Sequence, residues 1–270
     1  MHAPTTPPPI DPDMLLLAYR SGIFPMADAR DDPEVFWVEP RRRAILPLDG
    51  FHCSHSLAKT LRRGPFTVTC SHAFQRVIRE CAAPRADSGE TWISGRIEQT
   101  YVALHQLGYA HSIEVWRWHE LVGGLYGVGF DRVFCGESMF SRVPDASKVA
   151  LAWLVAALRR SRATLLDCQF MTGHLASLGA VEISQADYLK RLLAAQRSTE
   201  GEAAAEGLAE GLGEGLGEAS ALGLGAGVAD AAGAGLALPE GFAALLGDAA
   251  AAGLSSSPGN FIAQSLTQTS

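Results

Sequence analysis

The sequence predicts an α+β fold, and two observations support this prediction. Three apolar, strand-like runs follow one another at residues 111–118, 120–130 and 132–142, with turn signals at 119–120 and 131–132, which is the pattern of an antiparallel meander. A helix, a buried strand and a second helix come later in the chain, as is typical of α+β proteins. With 270 residues, 47% of them hydrophobic, the chain can form one large domain or two small ones.

The N-terminal elements are predicted from proline content and capping residues. Residues 1–13 are rich in proline and are expected to be disordered. Asp13 is predicted to cap a short helix over 14–20, and Gly22 is predicted to end it.

Apolar spacing, caps and turn residues predict the elements of the main part of the chain. They are strands within 35–38 and 41–48 separated by Pro40, a helix at 53–63 capped by Ser54, a strand at 65–70, helices at 71–82 and 95–108, the meander, a helix at 144–160, a buried strand at 163–170, a short helix stopped by Gly179, a strand, and a last helix at 185–195 capped by Ser184.

The composition changes after Arg197. Residues 199–270 consist mainly of Gly, Ala, Leu and Glu, and glycine disfavours helix by up to about 1 kcal/mol per residue. We predict a low-complexity, mostly disordered acidic tail, in which Phe242 and Phe261 make only weak local contacts. Its removal is expected to leave activity intact or raise it. The predicted parts are a small N-terminal domain (1–50), a main domain (51–198) and the tail (199–270).

Charge is distributed unevenly along the chain. The net charge of −7 includes nine acidic residues and no lysine or arginine after Arg197, so residues 1–198 carry a net charge of +2. A slightly basic body is compatible with a polyanionic partner but does not require one.

Cysteine use and hydropathy indicate a cytosolic protein. The five cysteines are odd in number and form no CxxC pair, which fits reduced thiols. No run of about 20 apolar residues occurs, so no membrane span is expected. The N-terminus has neither the basic nor the apolar region of a secretory signal.

Two polar clusters interrupt apolar strands. Glu137 lies between Gly136 and Ser138 in the last run of the meander, where it is either exposed in a turn or directed into a cleft. Asp167 and Gln169 lie in the buried strand, and residues two apart in a strand point to the same face. Asp167 can therefore orient the carboxamide, or the pair can simply satisfy backbone groups at a strand end. Two such interruptions favour a functional site.

Other motifs do not support metal or nucleotide chemistry. His52 and His55 have metal-ligand spacing, but no further ligand pair completes a structural site, so solvated or capping histidines are expected. The Gly-Glu-Ser order at 136–138 is not a G-x-S-x-G elbow. The glycines within 123–129 miss the G-x-G-x-x-G pattern. We therefore expect neither a metal nor a cofactor.

Basic residues are concentrated between positions 41 and 63. Such a group often contacts phosphate, and the alternative is a solvated face. The group consists of Arg41, Arg42, Arg43, Lys59, Arg62 and Arg63.

Taken together, the motifs resemble one family. Between Met14 and Leu192 the chain carries LLLAYRSGIFPM, TWIS, LHQLGYAHSIEVW, LVGGLYGV, FCGESMFSR, DASKVAL, LLDCQ and HLASLGAVEI, in that order. They closely resemble the leucyl/phenylalanyl-tRNA–protein transferases. The resemblance implies a GNAT-like acyltransferase domain behind a small N-terminal domain. It also implies a cytoplasmic, monomeric, cofactor-free enzyme. This enzyme would move Leu or Phe, and less readily Met, from aminoacyl-tRNA to proteins that begin with Arg or Lys, which marks them for N-degron degradation.

The resemblance also implies catalytic roles. Asp167 would polarise Gln169, Gln169 would contact the attacking amine, and Glu137 would hold the cationic acceptor residue. Within the basic group, Arg62 and Arg63 are then expected to meet the phosphates of the tRNA acceptor stem.

The family pattern further implies a pocket for the aminoacyl side chain, with ordinary core packing as the alternative. Trp92 and Tyr101 match aromatic positions near the terminal adenosine, where stacking suits a single-stranded CCA end. The pocket positions are Leu125, Phe134, Leu151, Leu154, Leu158, Leu166 and Cys168.

The sequence departs from the family pattern in a few places. Met26 follows Pro25 where the family often has Trp, so an adenosine platform on that side would be weaker or built from Trp37. Thr172 stands where some members have Asn. The N-terminal domain is shortened, and the acidic tail has no counterpart in the pattern.

Two rival functions can be weighed against this one. A GNAT-like acyl-CoA transferase would need a Gly-rich, phosphate-binding turn before a helix, which the sequence lacks. A module that binds tRNA or peptide without turnover would have no need of the intact GES and DCQ motifs.

Overall fold

The computed structural model describes residues 8–84, 91–197 and 234–267. Within these ranges, no helix is both long enough and apolar enough to cross a membrane. The strands are β1 (Phe24–Met26), β2 (Phe36–Val38), β3 (Arg42–Ile45), β4 (Thr67–Cys70), β5 (Ala110–Arg117), β6 (Glu120–Phe130), β7 (Val133–Ser141), β8 (Leu165–Gln169) and β9 (Val181–Ser184). The helices are α1 (Pro12–Arg20), α2 (His55–Arg63), α3 (Phe74–Ala82), α4 (Gly95–Gln106), α5 (Ala146–Arg160), α6 (Gly173–Ser177), α7 (Gln185–Gln196), α8 (Leu238–Ala251) and α9 (Pro258–Thr267).

The large sheet has seven strands in the order β4-β5-β6-β7-β8-β3-β9. The predicted meander is confirmed, because β5, β6 and β7 pair antiparallel in sequence order. β7 then pairs with β8 in parallel, and β3 lies antiparallel between β8 and β9. β3 falls within the predicted N-terminal domain, yet it belongs to the large sheet. The hairpin β1–β2 remains outside that sheet.

Helices cover both faces of the large sheet, which confirms the predicted α+β class. One apolar core contains side chains of α1, α3, α4 and α7, and the other contains side chains of α2, α5, α8 and α9. α5 is buried almost along its whole length, because it packs on β5 and β6 from one side and is covered by α8 and α9 from the other. A helix in this position can carry pocket residues without being exposed to solvent.

Two of the predicted caps are confirmed and one is wrong. The Ser54 hydroxyl accepts a hydrogen bond from an N–H in the first turn of α2, and Ser184 does the same for α7. At α1 the cap is Asp11, whose carboxylate accepts from the N–H groups of Asp13 and Met14 at 2.9 and 3.2 Å. The helix begins at Pro12, earlier than predicted. Proline is favourable at the first helical position because it lacks an N–H group, and the N–H of a first helical residue has no partner within the helix.

The predicted disorder of residues 1–13 is wrong for residues 8–13. Ile10 is 3% exposed, and its N–H donates to Oγ1 of Thr100 over 3.0 Å. This contact attaches the segment before α1 to α4. Residues 1–7 lie outside the described residues.

The predicted disorder of the tail is wrong for residues 234–267. α8 packs on α5, and α9 packs on α2 and α5. Phe242 and Leu245 of α8 and Ile262 of α9 are nearly buried and join the core that contains α5. Low helix propensity is overridden here because burial of an apolar face supplies most helix stability in proteins. Residues 198–233 and 268–270 lie outside the described residues.

One glycine of α8 has a packing role. A Cβ on Gly241 would lie 2.1 Å from Oγ of Ser161 and 2.8 Å from the carbonyl oxygen of Ala157, both at the end of α5. A residue that lowers helix propensity therefore lets the two helices approach closely. Next to Gly241, the ring centroids of Phe242 and Trp153 lie 5.3 Å apart.

Candidate active site

Glu137 occupies a β-bulge between β6 and β7. Tyr126 pairs with Ser138 and Gly127 pairs with Gly136, so Glu137 is an extra residue of β7 at that point. A bulge bends a strand and redirects the side chain that it carries. The Glu137 residue is only 8% exposed and lines a cavity, which excludes the exposed-turn alternative.

Three neutral donors surround the Glu137 carboxylate. The Tyr19 hydroxyl donates to Oε1 over 2.7 Å, the Tyr101 hydroxyl donates to Oε2 over 3.0 Å, and Nε2 of Gln169 donates to Oε1 over 2.9 Å. Burial raises the pKa of Glu137 to about 7, although the three hydrogen bonds favour the charged form. The group can therefore exchange a proton near neutral pH.

Asp167 forms a buried ion pair with Arg43. Nε of Arg43 lies 2.9 Å from Oδ1, and Nη2 lies 2.5 Å from Oδ2. The Tyr188 hydroxyl donates to the same carboxylate over 2.9 Å. Arg43 also donates to the carbonyl oxygen of Gly22 and lies over the ring of Phe24, so this pair ties β8 to the segment around β1. Arg43 is 1% exposed and offers no contact to phosphate, unlike the solvent-facing basic group expected from the sequence.

Gln169 ends β8 in a left-handed conformation, with φ +61°. This conformation is uncommon for a residue other than glycine, and such residues often cluster at functional sites. The Gln169 backbone N–H donates to Oδ1 of Asp167 over 2.8 Å, while its carboxamide binds Glu137. Asp167 therefore orients Gln169 through the backbone, whereas the sequence suggested a contact with the carboxamide.

A cavity of about 410 Å³ opens where β7 and β8 separate. The parallel pairing of these strands ends at Cys135 and Asp167, just before Glu137 and Gln169. The cavity has an apolar wall and a polar end that contains Glu137 and Gln169. Six of the nine expected substrate-binding residues line it, namely Trp92, Leu125, Leu151, Leu154, Leu166 and Cys168.

Three of the expected substrate-binding residues do not line the cavity. Phe134 and Leu158 are fully buried in the core behind it. Tyr101 is also fully buried, so its ring offers no face to an adenosine, and its hydroxyl supports Glu137 instead. The family pattern assigned these residues to the substrate site, but a sequence pattern cannot separate a cavity wall from the layer of core residues behind it.

The departure at Met26 changes one rim of the cavity. Met26 lines the cavity together with Trp92. Trp37 pairs with Pro25 across the β1–β2 hairpin, but it is 42% exposed and is not part of the lining. The suggested replacement of a platform by Trp37 therefore finds no support in this cavity.

Two cavity residues were missed as site residues by sequence reasoning. The Tyr126 hydroxyl and the Nε2 of His174 are buried and have no hydrogen-bond partner within the described residues. The supporting residues Tyr19 and Tyr188 were missed as well. Tyr19 belongs to the LLLAYRSGIFPM motif, which was the available signal, whereas nothing local to Tyr188 distinguishes it from a core residue.

Arg62 and Arg63 lie in the last turn of α2. Both side chains are exposed, and neither forms a salt bridge within the described residues. They are thus accessible to a phosphate backbone. His52 and His55 do not belong to a metal site in the described part of the chain, where no group of three or more His, Cys, Asp or Glu residues is arranged to hold a metal ion.

Two family models match the chain. The model of the leucyl/phenylalanyl-tRNA protein transferase matches residues 45–193, and the model of the N-terminal domain of that protein matches residues 9–41. These ranges include the bulge, the cavity and the residues that support Glu137.

Curated relatives of the same description are highly similar. A leucyl/phenylalanyl-tRNA–protein transferase of Novosphingobium aromaticivorans is 66% identical over 266 residues, which cover 98% of each chain. Those of Zymomonas mobilis and Rhizorhabdus wittichii are 58% and 57% identical over 70% and 73% of this chain and 70% and 80% of theirs. The first match spans nearly the whole chain, so the acidic tail has a counterpart in that relative, whereas the family models end at residue 193.

Among solved structures, L-PGS from Bacillus licheniformis aligns with a TM-score of 0.34 and 14% identity, over 62% of this chain and 55% of that chain. That similarity is too low to assign a fold. The two family models and the full-length relative instead decide the identity. The chain belongs to the leucyl/phenylalanyl-tRNA protein transferase family and is an aminoacyltransferase.

Proposed function

We propose that this protein moves leucine or phenylalanine, and less readily methionine, from aminoacyl-tRNA to proteins that begin with Arg or Lys, and so marks them for N-degron degradation. The reaction is the attack of an α-amine on an aminoacyl ester. The observation that carries this proposal is a cavity whose apolar wall ends at the hydrogen-bonded pair Glu137 and Gln169. Such a cavity suits an apolar side chain attached to a reacting polar centre.

The apolar wall is assigned to the leucyl or phenylalanyl side chain. Leu151 and Leu154 reach it from α5, and Leu125 and Leu166 reach it from β6 and β8. An apolar pocket discriminates by size, and one methylene is worth about 1–3 kcal/mol. Graded acceptance of Leu, Phe and Met follows from such a pocket. Trp92 at the rim is assigned to stacking on the terminal adenosine.

The polar end is assigned to the attacking amine. Aminolysis needs a neutral amine close to the ester carbonyl and a group that receives its proton. Glu137, with a pKa of about 7, is suited to receive that proton, and Gln169 positions the nitrogen. The sequence suggested that Glu137 holds the cationic side chain of the acceptor. Its 8% exposure and three bound donors leave better access for a small amine than for a guanidinium group.

Asp167 is assigned a positioning role. Its carboxylate holds Arg43 and the backbone N–H of Gln169, and so supports the left-handed conformation that directs the carboxamide to Glu137. Asp167 itself is fully buried and does not line the cavity.

The remaining assignments concern the whole chain. A GNAT-like catalytic domain is supported by the parallel pair β7–β8, which separates at the site. We propose that it follows a small N-terminal domain that ends before β3 and not at residue 50, because β3 is a strand of the large sheet. Arg62 and Arg63 are assigned to contact the phosphates of the tRNA acceptor stem.

A monomer without a cofactor suffices for the proposed reaction, because one chain contains all the assigned residues. Five free cysteines support a reducing, cytoplasmic location.

The proposed function is tested with charged leucyl-tRNA and two synthetic peptides that differ only in their first residue, Arg or Gly. We expect leucine on the Arg-initiated peptide and little on the Gly-initiated one. Gln169→Ala should lower the rate, while Leu107→Ala, a change at an exposed residue after α4, should not. Equal transfer to both peptides would contradict the acceptor preference, and no transfer at all would contradict the reaction.

A further inference from the structure

The helix α2 has two different faces. Leu57 and Leu61 lie on its buried face, which belongs to the core that contains α5, α8 and α9. Its other face carries the exposed cations Lys59, Arg62 and Arg63. None of these three cations forms a salt bridge within the described residues. The exposed face of α2 is therefore open to an anionic partner.

The main contact of α2 is with α9, in the C-terminal tail. Its contact with α5 is much smaller. Ile262 and Leu266 of α9 share a core with Leu57 and Leu61 of α2, and none of the four is more than 4% exposed. The model of the transferase family covers α2 but ends at residue 193, before α9. A helix of the family domain thus packs mainly on a segment that lies outside that model.

The two helices approach closely at the last turn of α2. A Cβ on Gly259, in the first turn of α9, would lie 2.5 Å from the carbonyl oxygen of Leu61. A Cβ on Gly64, which ends α2, would lie 3.9 Å from Oγ of Ser257, just before α9. Leu61 directly precedes Arg62 in the chain. The contact with α9 therefore lies at the turn that carries both arginines.

Polar contacts connect the same end of α2 to the surroundings of the cavity. Oγ1 of Thr60 donates to Oδ2 of Asp145 over 3.2 Å, and Nζ of Lys148 donates to Oδ1 of the same carboxylate over 3.3 Å. Burial lowers the pKa of His174, which lines the cavity, and the charge of Lys148 lowers it further. Leu151 also lines the cavity and follows Asp145 by about 9 Å along the helix axis. These contacts place α2 beside the cavity assigned to the aminoacyl end of the tRNA.

We propose that α9 is a positioning element for tRNA binding, because it holds the last turn of α2 where Arg62 and Arg63 meet the phosphates of the acceptor stem. This inference rests on the proposed function, and specifically on the assignment of these two arginines. Position matters for such contacts, since salt screens exposed charges beyond about 8–10 Å. The inference opposes the expectation, drawn from composition, that removal of the tail leaves activity intact or raises it.

The test compares three glycine-to-alanine variants of the tail helices in the full chain. Gly259→Ala adds a Cβ that meets the carbonyl oxygen of Leu61, so it forces α9 and α2 apart. Gly241→Ala is the matched control, because its Cβ meets the carbonyl oxygen of Ala157 and so forces α8 and α5 apart instead. Gly247→Ala is a second control, in which the new Cβ has no neighbour within 4 Å.

Filter binding of leucyl-tRNA gives Kd and its salt dependence for each variant. For Gly259→Ala we expect Kd at about 0.1 M salt to rise about 3- to 10-fold, and the slope of log Kd against log salt concentration to fall by about 1. Gly241→Ala should lower Tm as well but keep Kd within about twofold of wild type, and Gly247→Ala should keep the wild-type Kd. A merely structural α9 would lower Tm in Gly259→Ala without changing Kd or the slope, which would overturn the inference. An equal rise of Kd in Gly241→Ala would overturn it too.

A combined variant separates this inference from the proposed function. If α9 acts through the two arginines, Gly259→Ala should weaken binding no further in the Arg62→Ala/Arg63→Ala background. A further rise of Kd of the same size would overturn the inference alone. A wild-type Kd for Arg62→Ala/Arg63→Ala itself would instead overturn the tRNA contact assigned to α2 in the proposed function. Should Gly259→Ala not fold, Ile262→Val makes a smaller change on the buried face of α9 and is expected to raise Kd in the same way.

Discussion

Nε2 of Gln169 donates a hydrogen bond to Oε1 of Glu137 over 2.9 Å, across the point where two parallel strands separate. The bulge in β7 supplies one partner, and the left-handed end of β8 supplies the other. The two irregularities therefore act together. They bring two polar side chains from neighbouring strands to the end of an apolar cavity, where the reacting groups of an aminoacyl ester and an amine can meet.

The first prediction concerns the pH dependence of Glu137. Its pKa is about 7 in the folded protein, above the ordinary value of 4.5 for a glutamate side chain in water, so the folded state binds more protons than the unfolded state between these values. The free energy of unfolding should therefore decrease as pH rises from 4.5 to 7, by about 3 kcal/mol for this group. Glu137→Gln removes this contribution. Urea unfolding of both proteins across that range should show that the wild type loses more unfolding free energy with rising pH than Glu137→Gln does.

The same variant tests the catalytic assignment of Glu137. If it receives a proton, wild-type kcat should rise with pH through about 7, and Glu137→Gln should lose that dependence and most of its kcat. Steady-state titration of an Arg-initiated peptide gives kcat and KM separately. A variant with unchanged kcat and a raised KM for the acceptor would instead make Glu137 the reader of the cationic side chain.

The second prediction concerns the buried ion pair. Asp167→Asn leaves Arg43 charged and unpaired, which should cost about 3–5 kcal/mol of unfolding free energy. The exposed pair Arg42–Glu182 is the control, and Glu182→Gln should cost less than about 1 kcal/mol. Urea unfolding measures both variants.

A double variant identifies the cause of the Asp167 effect. Arg43→Met combined with Asp167→Asn leaves no unpaired buried charge, so it should be more stable than Asp167→Asn alone. If the double variant were the less stable of the two, loss of hydrogen bonds from Tyr188 and Gln169 would be the main effect.

The third prediction tests the apolar wall. Leu154→Trp fills part of the cavity and should reduce transfer of phenylalanine more than transfer of methionine, because the larger side chain needs more of the space. Competition between phenylalanyl-tRNA and methionyl-tRNA gives the ratio of phenylalanine transfer to methionine transfer. Leu158→Met, on the same helix but outside the cavity, should leave the ratio unchanged. Equal losses of both substrates in Leu154→Trp would place the side-chain pocket elsewhere.

The fourth prediction concerns the stability that the tail contributes, which is separate from the expectation that its removal leaves activity intact or raises it. Phe242→Ala removes a nearly buried ring that contacts Trp153 and should cost about 3–5 kcal/mol of stability. Leu246→Ala on the same helix should cost much less, since Leu246 is 40% exposed. Deletion of 199–270 should likewise lower Tm, because it uncovers α5 and α2. A deletion variant with wild-type Tm would show that this packing contributes no stability.

The fifth prediction concerns tRNA. Replacing Arg62 and Arg63 by Ala should weaken binding of all tRNAs alike and reduce the salt dependence of binding. The double variant Lys190→Ala/Arg191→Ala removes two exposed cations from α7 and controls for net charge. Filter binding at several salt concentrations gives the slope of log Kd against log salt concentration for each double variant. Equal slopes in the two double variants would indicate that α2 does not contact the phosphates.

The sequence by itself determined the elements and their class. Alternating and helical apolar spacing, turn residues and caps are local, so the meander, α5 and the cap at Ser54 could be predicted. The polar interruptions at Glu137, Asp167 and Gln169 were also visible, because a polar residue in an apolar strand stands out. The resemblance of the motifs to the transferase family assigned these residues roles in a reaction.

Only the tertiary structure decided which groups meet. Arg43 and Asp167 are 124 residues apart in the chain, and no local pattern reveals that one neutralises the other. The same holds for the Tyr126 hydroxyl, whose missing partner appears only when the surrounding atoms are placed. In the tail, low helix propensity suggested disorder, but burial against α5 and α2 outweighs it for residues 234–267. Local propensities are small and short-ranged, whereas burial and charge pairing depend on contacts that the chain makes only after it has folded.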